Sequence, residues 1–157
     1  MKVDLDIDTR RLQANLQKVQ RELPRDIKKA LMQTAQFGTN VILDRTERGV
    51  GYEGKFKPYD AAYRAQKSKG WPASKAGAKN YRPAFGGDSS GVVNLNVTGK
   101  MLASIQSKYA SKNVAEIYFS RATEAKKAAF NNDKRPFFGF NQSEKARLRK
   151  FFQGRLK

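Results

Sequence analysis

Residues 24–49, PRDIKKALMQTAQFGTNVILDRTERG, decide how the chain is organised. Pro24 suits the first turn of a helix, where its missing N–H costs no hydrogen bond. Ile27, Leu31, Thr34, Gly38, Val41 and Ile42 then return at helical intervals, making one apolar or small face, until Gly49 stops the run. The spacing predicts a long helix over residues 24–48.

Moving towards the N-terminus, Val3, Leu5 and Ile7 alternate with Asp4, Asp6 and Asp8, the period of a half-buried strand with an acidic outer face. The Asp4, Asp6, Asp8 spacing resembles the start of a calcium loop. A twelve-residue loop beginning at Asp4 would need Gly where Thr9 stands and Glu where Asn15 stands, so calcium is disfavoured. Asp8 instead caps a first helix in which Leu12, Leu16, Val19 and Leu23 form an apolar stripe, read most simply as core.

Moving towards the C-terminus, Gly49-Val50-Gly51-Tyr52-Glu53-Gly54 matches G-x-G-x-x-G but follows a helix and opens no βαβ unit, so it reads as a flexible turn. Residues 55–91 are rich in Gly, Ser, Lys and aromatics and lack periodicity, which predicts a long irregular loop. Residues 93–97 alternate like a strand, and Thr98 caps a short turn through Ser104. Residues 105–111 extend again, and 115–119 form another strand with Asn113 as a turn residue before it. Residues 121–130 have helical composition, 134–140 are aromatic and irregular, and Ser143 caps a last helix over 144–153. The expected fold is α+β, a single domain over residues 1–157. Long N-terminal helices pack on a small antiparallel sheet, with a long irregular basic loop and a C-terminal helix.

Composition narrows the chemistry. The chain of 157 residues has no Cys and no His, which excludes disulfides, thiolate nucleophiles, Cys-based zinc sites and the commonest general base. Neither a membrane-spanning run nor a secretory signal is evident, so a cytosolic origin is expected. The formal net charge is +18. Residues 1–50 hold 10 basic and 7 acidic groups, and residues 51–157 hold 22 and 7, so nearly all the excess lies in the second part. Self-repulsion of that size favours a polyanionic or acidic neighbour.

The carboxylates after residue 50 show no recurring metal-ligand spacing, and Thr98-Gly99-Lys100 lacks the earlier Gly of a phosphate loop, Asn94 standing there. No active site, metal site or cofactor is expected. Lys55, Phe56, Lys57, Tyr59, Tyr63, Arg64 and Lys67 interleave cations with rings, a pattern that serves phosphate contact with base stacking. It equally serves plain packing, with Lys stems covering apolar surface and their heads in water. Arg135, Phe137 and Phe138, beside Pro136, read as a docking element held by the final helix.

Taken in order, these pieces resemble a family of bacteriophage virion-morphogenesis proteins, the tail-completion or head–tail joining proteins of long-tailed phages. Phe56-Lys57-Pro58-Tyr59, with Tyr63 and Lys67, is similar to the family's F-x-P-L segment and its trailing aromatic and Lys. Leu95, Thr98, Gly99, Met101, Leu102 and Ser104 resemble its L-x-x-T-G-x-L-x-x-S signature, and Arg135-Pro136-Phe137-Phe138-Gly139 resembles its R-P-F-x-G. The order and spacing agree over residues 25–153. The family often places a His and a Gly before Arg-Pro-Phe, whereas Ala128-Ala129-Phe130-Asn131-Asn132 stands here.

The resemblance implies a non-catalytic ring of six copies at the neck of the virion. Head-completion or connector proteins and tail terminator or tail-tube proteins would be its neighbours, and no membrane is involved. It implies Phe56, Tyr59, Tyr63 and Trp71 as interface anchors in a segment ordered by neighbouring subunits. Arg135, Phe137 and Phe138 would fix the C-terminal helix or a subunit contact. Lys55, Lys57, Arg64 and Lys67 are the candidates for non-specific contact with DNA in the channel. A freestanding nucleic-acid-binding protein and a metal-dependent nuclease are the competing expectations.

Overall fold

The computed structural model of the chain describes residues 9–69, 93–96, 99–111 and 113–156. The expected first strand, residues 2–7, lies outside the described residues.

The chain is mixed helix and sheet. Helix α1, Thr9–Glu47, is followed by a minimal hairpin of β1, Val50–Gly51, and β2, Gly54–Lys55. Helix α2 is Ala61–Lys69, and a 3-10 turn at Leu102–Ser104 leads into strand β3, Ile105–Ser111. Strand β4, Val114–Phe119, and helices α3, Ala122–Lys134, and α4, Gln142–Arg155, complete it.

Two expected helices are one. Helix α1 runs through Pro24 for 39 residues, about 58 Å at 1.5 Å per residue. Proline's ring already holds a helical φ, and what it loses is the bond to the Gln20 carbonyl. Residues 13–26 are all exposed, so that carbonyl is open to water, and the well-packed half beyond carries the helix across the defect. The same exposure corrects the reading of Leu16, Val19 and Leu23 as core: they are 54%, 55% and 50% exposed.

The buried face of α1 is Ala30, Ala35, Gly38, Thr39, Ile42, Arg45 and Thr46, which follows the 3.6-residue period. Thr39 and Thr46 return their hydroxyls to the carbonyls of Ala35 and Ile42 at 3.1 and 2.7 Å, so neither buries an unpaired donor. This face lies on the β3–β4 hairpin and on α4. At Gly38 the elements come so close that a Cβ would sit 2.9 Å from the Phe140 ring and 3.1 Å from Ile117. Beside it, Phe37 of α1 stacks on Phe151 of α4 with ring centres 4.6 Å apart.

Strands β3 and β4 pair antiparallel from Ile105 opposite Phe119 to Ser111 opposite Val114, with an irregularity between Tyr109 and Ser111. Asn113 takes φ 65° just before β4, a left-handed conformation that Asn tolerates well. Described residues 93–96 form a bend instead of the expected strand, with Leu95 at φ 56°. The sheet is therefore smaller than the alternation in the sequence implied, and Leu95 is buried by packing without strand pairing. The core gathers Ile42, Phe56, Leu95, Met101, Leu102, Ile105, Ala128 and Phe137 between α1, the hairpin and α3.

The segment read as irregular over 55–91 holds helix α2. Asp60 explains it: its side chain accepts from the Tyr63 N–H at 2.8 Å, an N-cap, ahead of the helix formers Ala61, Ala62 and Ala65. Residues 70–91, including Trp71, lie outside the described residues. The last helix begins earlier than Ser143 would set it. Asn141 is its cap and forms a capping box with Glu144, each side chain bonding the other's backbone N–H, at 2.8 and 3.0 Å.

Candidate functional site

The G-x-G-x-x-G stretch builds a backbone junction. Gly49 takes φ 74° after the last turn of α1, and a Cβ there would lie 2.8 Å from the Val93 carbonyl. A Cβ on Gly51 would lie 2.0 Å from the Pro136 carbonyl oxygen, which accepts from the Tyr52 N–H at 3.0 Å. The β1–β2 hairpin thus lies backbone to backbone on the Arg-Pro-Phe segment. These glycines serve close approach within the chain.

Arg135 sits at the centre of the candidate residues. Its guanidinium donates from Nε to the Lys57 carbonyl at 3.0 Å and from Nη2 to the Pro58 carbonyl at 3.2 Å, and lies over the Tyr59 ring at 4.7 Å. Tyr59 meets Tyr63 edge-on with centres 4.7 Å apart, and its hydroxyl accepts from the Leu95 N–H at 3.2 Å. Lys67, one turn beyond Tyr63, is fully buried; it donates to Asn94 Oδ1 at 2.7 Å and lies 5.4 Å from the centre of the Tyr59 ring. One array therefore joins the Phe-Lys-Pro-Tyr segment, α2, the 94–95 bend and Arg135.

A second array lies behind it. Arg45 of α1 pairs with Glu144 and donates from Nη2 to the carbonyls of Phe137 and Gly139 at 2.6 and 2.9 Å. Asn132 Oδ1 accepts from the N–H groups of Phe137 and Phe138 at 3.0 and 2.8 Å. Residues 137–139 are thus held by side chains from α1 and α3, while Phe137 fills the core and Phe119 packs on Phe138 with centres 4.8 Å apart.

The candidates divide accordingly. Phe56 and Phe137 are core residues and do not project as interface anchors, and Lys67 is spent inside, away from any DNA-facing surface. Tyr59, Tyr63, Arg135 and Phe138 are half-buried in the arrays, and Lys55, Lys57 and Arg64 are exposed. Sequence reasoning missed Arg45, Asn94, Asn132 and Asn141. Only Asn141 carried a usable signal, the N-x-x-E spacing of a capping box.

Among the described residues no three His, Cys, Asp or Glu side chains converge to hold a metal ion, and no helix is long and apolar enough to cross a membrane. Burial raises the Tyr63 phenol above its ordinary value, with Asp60 adding to the effect and Arg135 opposing it. The folded chain therefore keeps this proton to higher pH than the unfolded chain does. The associated stability is complete below the ordinary tyrosine range and fades as pH rises through the raised value. Phenolate absorbance of the chain minus that of Tyr63→Phe is expected to show one phenol ionising late. Titration at the ordinary value would mean that the ring is solvated.

Comparison with family models, with characterised proteins and with solved structures finds no match to this chain.

Proposed function

We propose that the chain is a structural subunit of the neck of a tailed bacteriophage, a tail-completion or head–tail joining protein acting as one copy of a ring of six. The observation that carries this reading is the meeting of the short segments that resemble the family. Arg135 binds the backbone of Lys57 and Pro58 and covers Tyr59, Tyr59 binds Leu95, and Lys67 binds the neighbouring Asn94. Motifs that depend on one another in space have a reason to occur together and in that order, whereas chance matches have none.

The surface supports the same reading. A chain of +18 gains little from meeting a like-charged body in solution and much from being seated among acidic protein surfaces or along DNA. Lys55, Lys57 and Arg64, exposed beside the Arg135 array, are placed for such contact. No bond is made or broken in this role; the subunit works by shape and charge.

Removing the reading frame from its phage and imaging the lysate tests the proposal. Filled heads and tails that fail to unite, or tails with faulty ends, are expected. Normal infectious particles would overturn it. Sequence-specific nanomolar binding of duplex DNA at physiological salt would favour a freestanding nucleic-acid-binding protein, since a channel contact is non-specific and weakens steeply with salt.

A further inference from the structure

Helix α4 lies on α1 with one side and carries its charge on the other. Glu144, Leu148, Phe151 and Phe152 are its buried or half-buried residues, and Glu144 is spent on Arg45. Against that one carboxylate the helix holds five cations, Lys145, Arg147, Arg149, Lys150 and Arg155, all exposed. Arg147 and Arg155 lie over the rings of Phe37 and Phe151, at 5.8 and 4.8 Å from their centres. Lys145, Arg149 and Lys150 have no polar partner among the described residues. The cations on the outer side form two rows. Lys145 and Arg149 are four residues apart and Arg147 and Lys150 three apart, so each pair shares a ridge. At about 100° per residue the two ridges stand about 150° apart round the axis. They flank an outward strip of exposed, uncharged residues, Gln142, Ala146 and Gln153.

We infer that α4 enters the major groove of duplex DNA with this outward strip, its two rows of cations meeting the phosphates on the two walls. The inference goes beyond the neck reading and does not rest on it. A helix with its side chains is about 10–12 Å across, and the groove is about 12 Å wide with a row of phosphates along each edge. Cations on both flanks and a short, uncharged front fit that shape. A flat acidic protein surface would be met better by cations at the front. The major groove of duplex RNA is too deep and narrow for a helix. The rest of the same chain does not supply the counter-charge. Residues 70–92 contain three cations and one carboxylate. The acidic residues 1–8 span at most about 28 Å fully extended. They start from Thr9, which lies about 42 Å along α1 from Phe37, the residue stacked on Phe151 of α4. The hold is by charge on phosphate, so it is independent of base sequence and steep in salt.

Fluorescence anisotropy of a short labelled DNA duplex of mixed sequence, titrated with the purified full chain over a range of salt, makes the test. One triple variant, Lys145→Gln with Arg149→Gln and Lys150→Gln, removes three cations from α4. The other, Lys18→Gln with Arg21→Gln and Arg25→Gln, removes the same charge from the first half of α1. All six positions are exposed and glutamine is a good helix former, so both variants keep the fold. The α4 variant is expected to flatten the slope of log K against log salt by about 2.7, three phosphate contacts at about 0.9 each, and to weaken binding on the order of 100-fold at about 0.1 M salt. The α1 variant is expected to change the slope by less than about 0.5. Equal losses in the two variants, or no duplex binding by the parent chain, would overturn the inference. So would polyglutamate or duplex RNA held as tightly as the DNA. The neck reading is judged separately, on particles. Duplex binding through α4 with normal particles in the knockout would leave the contact standing and the neck role refuted, and failed joining without duplex binding would do the reverse.

Discussion

Arg45→Met is expected to destabilise the chain by about 3–5 kcal/mol, the cost of removing one member of a buried ion pair. The pair is buried on both sides, with side-chain exposures of 9% and 11%, so water does little to screen it. Methionine keeps much of the stem but leaves the Glu144 carboxylate without its cation. It also leaves the Phe137 and Gly139 carbonyls without the Nη2 donor. Glu144 would still accept from the Asn141 N–H through its cap, which keeps the loss from being larger. Urea denaturation of Arg45→Met, Glu144→Gln and the double variant measures the effect. The double variant is expected to cost clearly less than the two single losses combined, because neither charge is then stranded. A loss under about 1 kcal/mol for Arg45→Met would show the pair to be solvated and worth no more than a surface bridge.

That pair also marks the limit of what the sequence discloses. Local rules were legible. The 3.6-residue period identified the packed half of α1, and residues 105–111 and 115–119 were legible as extended segments with Asn113 marking their turn, whereas the alternation over 93–97 did not make a strand of the described residues 93–96. The stripe at Leu16, Val19 and Leu23 was legible as a helix face, but periodicity reports that a face is apolar without saying what covers it. Pro24 was read as a boundary because a helix interior usually rejects it, yet a solvent-exposed carbonyl tolerates the lost bond.

The two arrays were illegible for another reason. Arg45 and Glu144 are 99 positions apart and Arg135 and Lys57 are 78 apart, and no one-dimensional pattern links a lone arginine to a distant carbonyl. The same holds for Lys67, which composition marks as a wet cation and which the fold buries against Asn94. Lys57, Tyr59, Leu95 and Arg135 likewise form one bonded unit although they come from three separate stretches of the chain.

Phe137→Ala is expected to cost about 3–5 kcal/mol, among the largest single losses available in this core. The ring has no exposed surface and lies among Ile42, Phe56, Met101, Leu102 and Ile105. It also makes an edge contact with Phe119 at 6.4 Å between centres. What sets the cost is how far the surroundings can close over the cavity. The backbone on either side is pinned, the N–H by Asn132 and the carbonyl by Arg45, so the segment cannot sink inward to fill the space. Phe137→Leu, which restores most of the volume, is expected to lose less than about 1.5 kcal/mol. Urea midpoints of the two variants decide the matter, and a Phe137→Ala loss no larger than that of Phe137→Leu would mean that the site collapses freely. On the neck reading proposed above, burial also says what a fall in particle yield would mean. A ring buried in its own subunit would lower yield only through unfolded subunits, so under that proposal Phe137→Ala is expected to assemble normally at temperatures where it remains folded. Failure to assemble while fully folded would place Phe137 at a subunit contact.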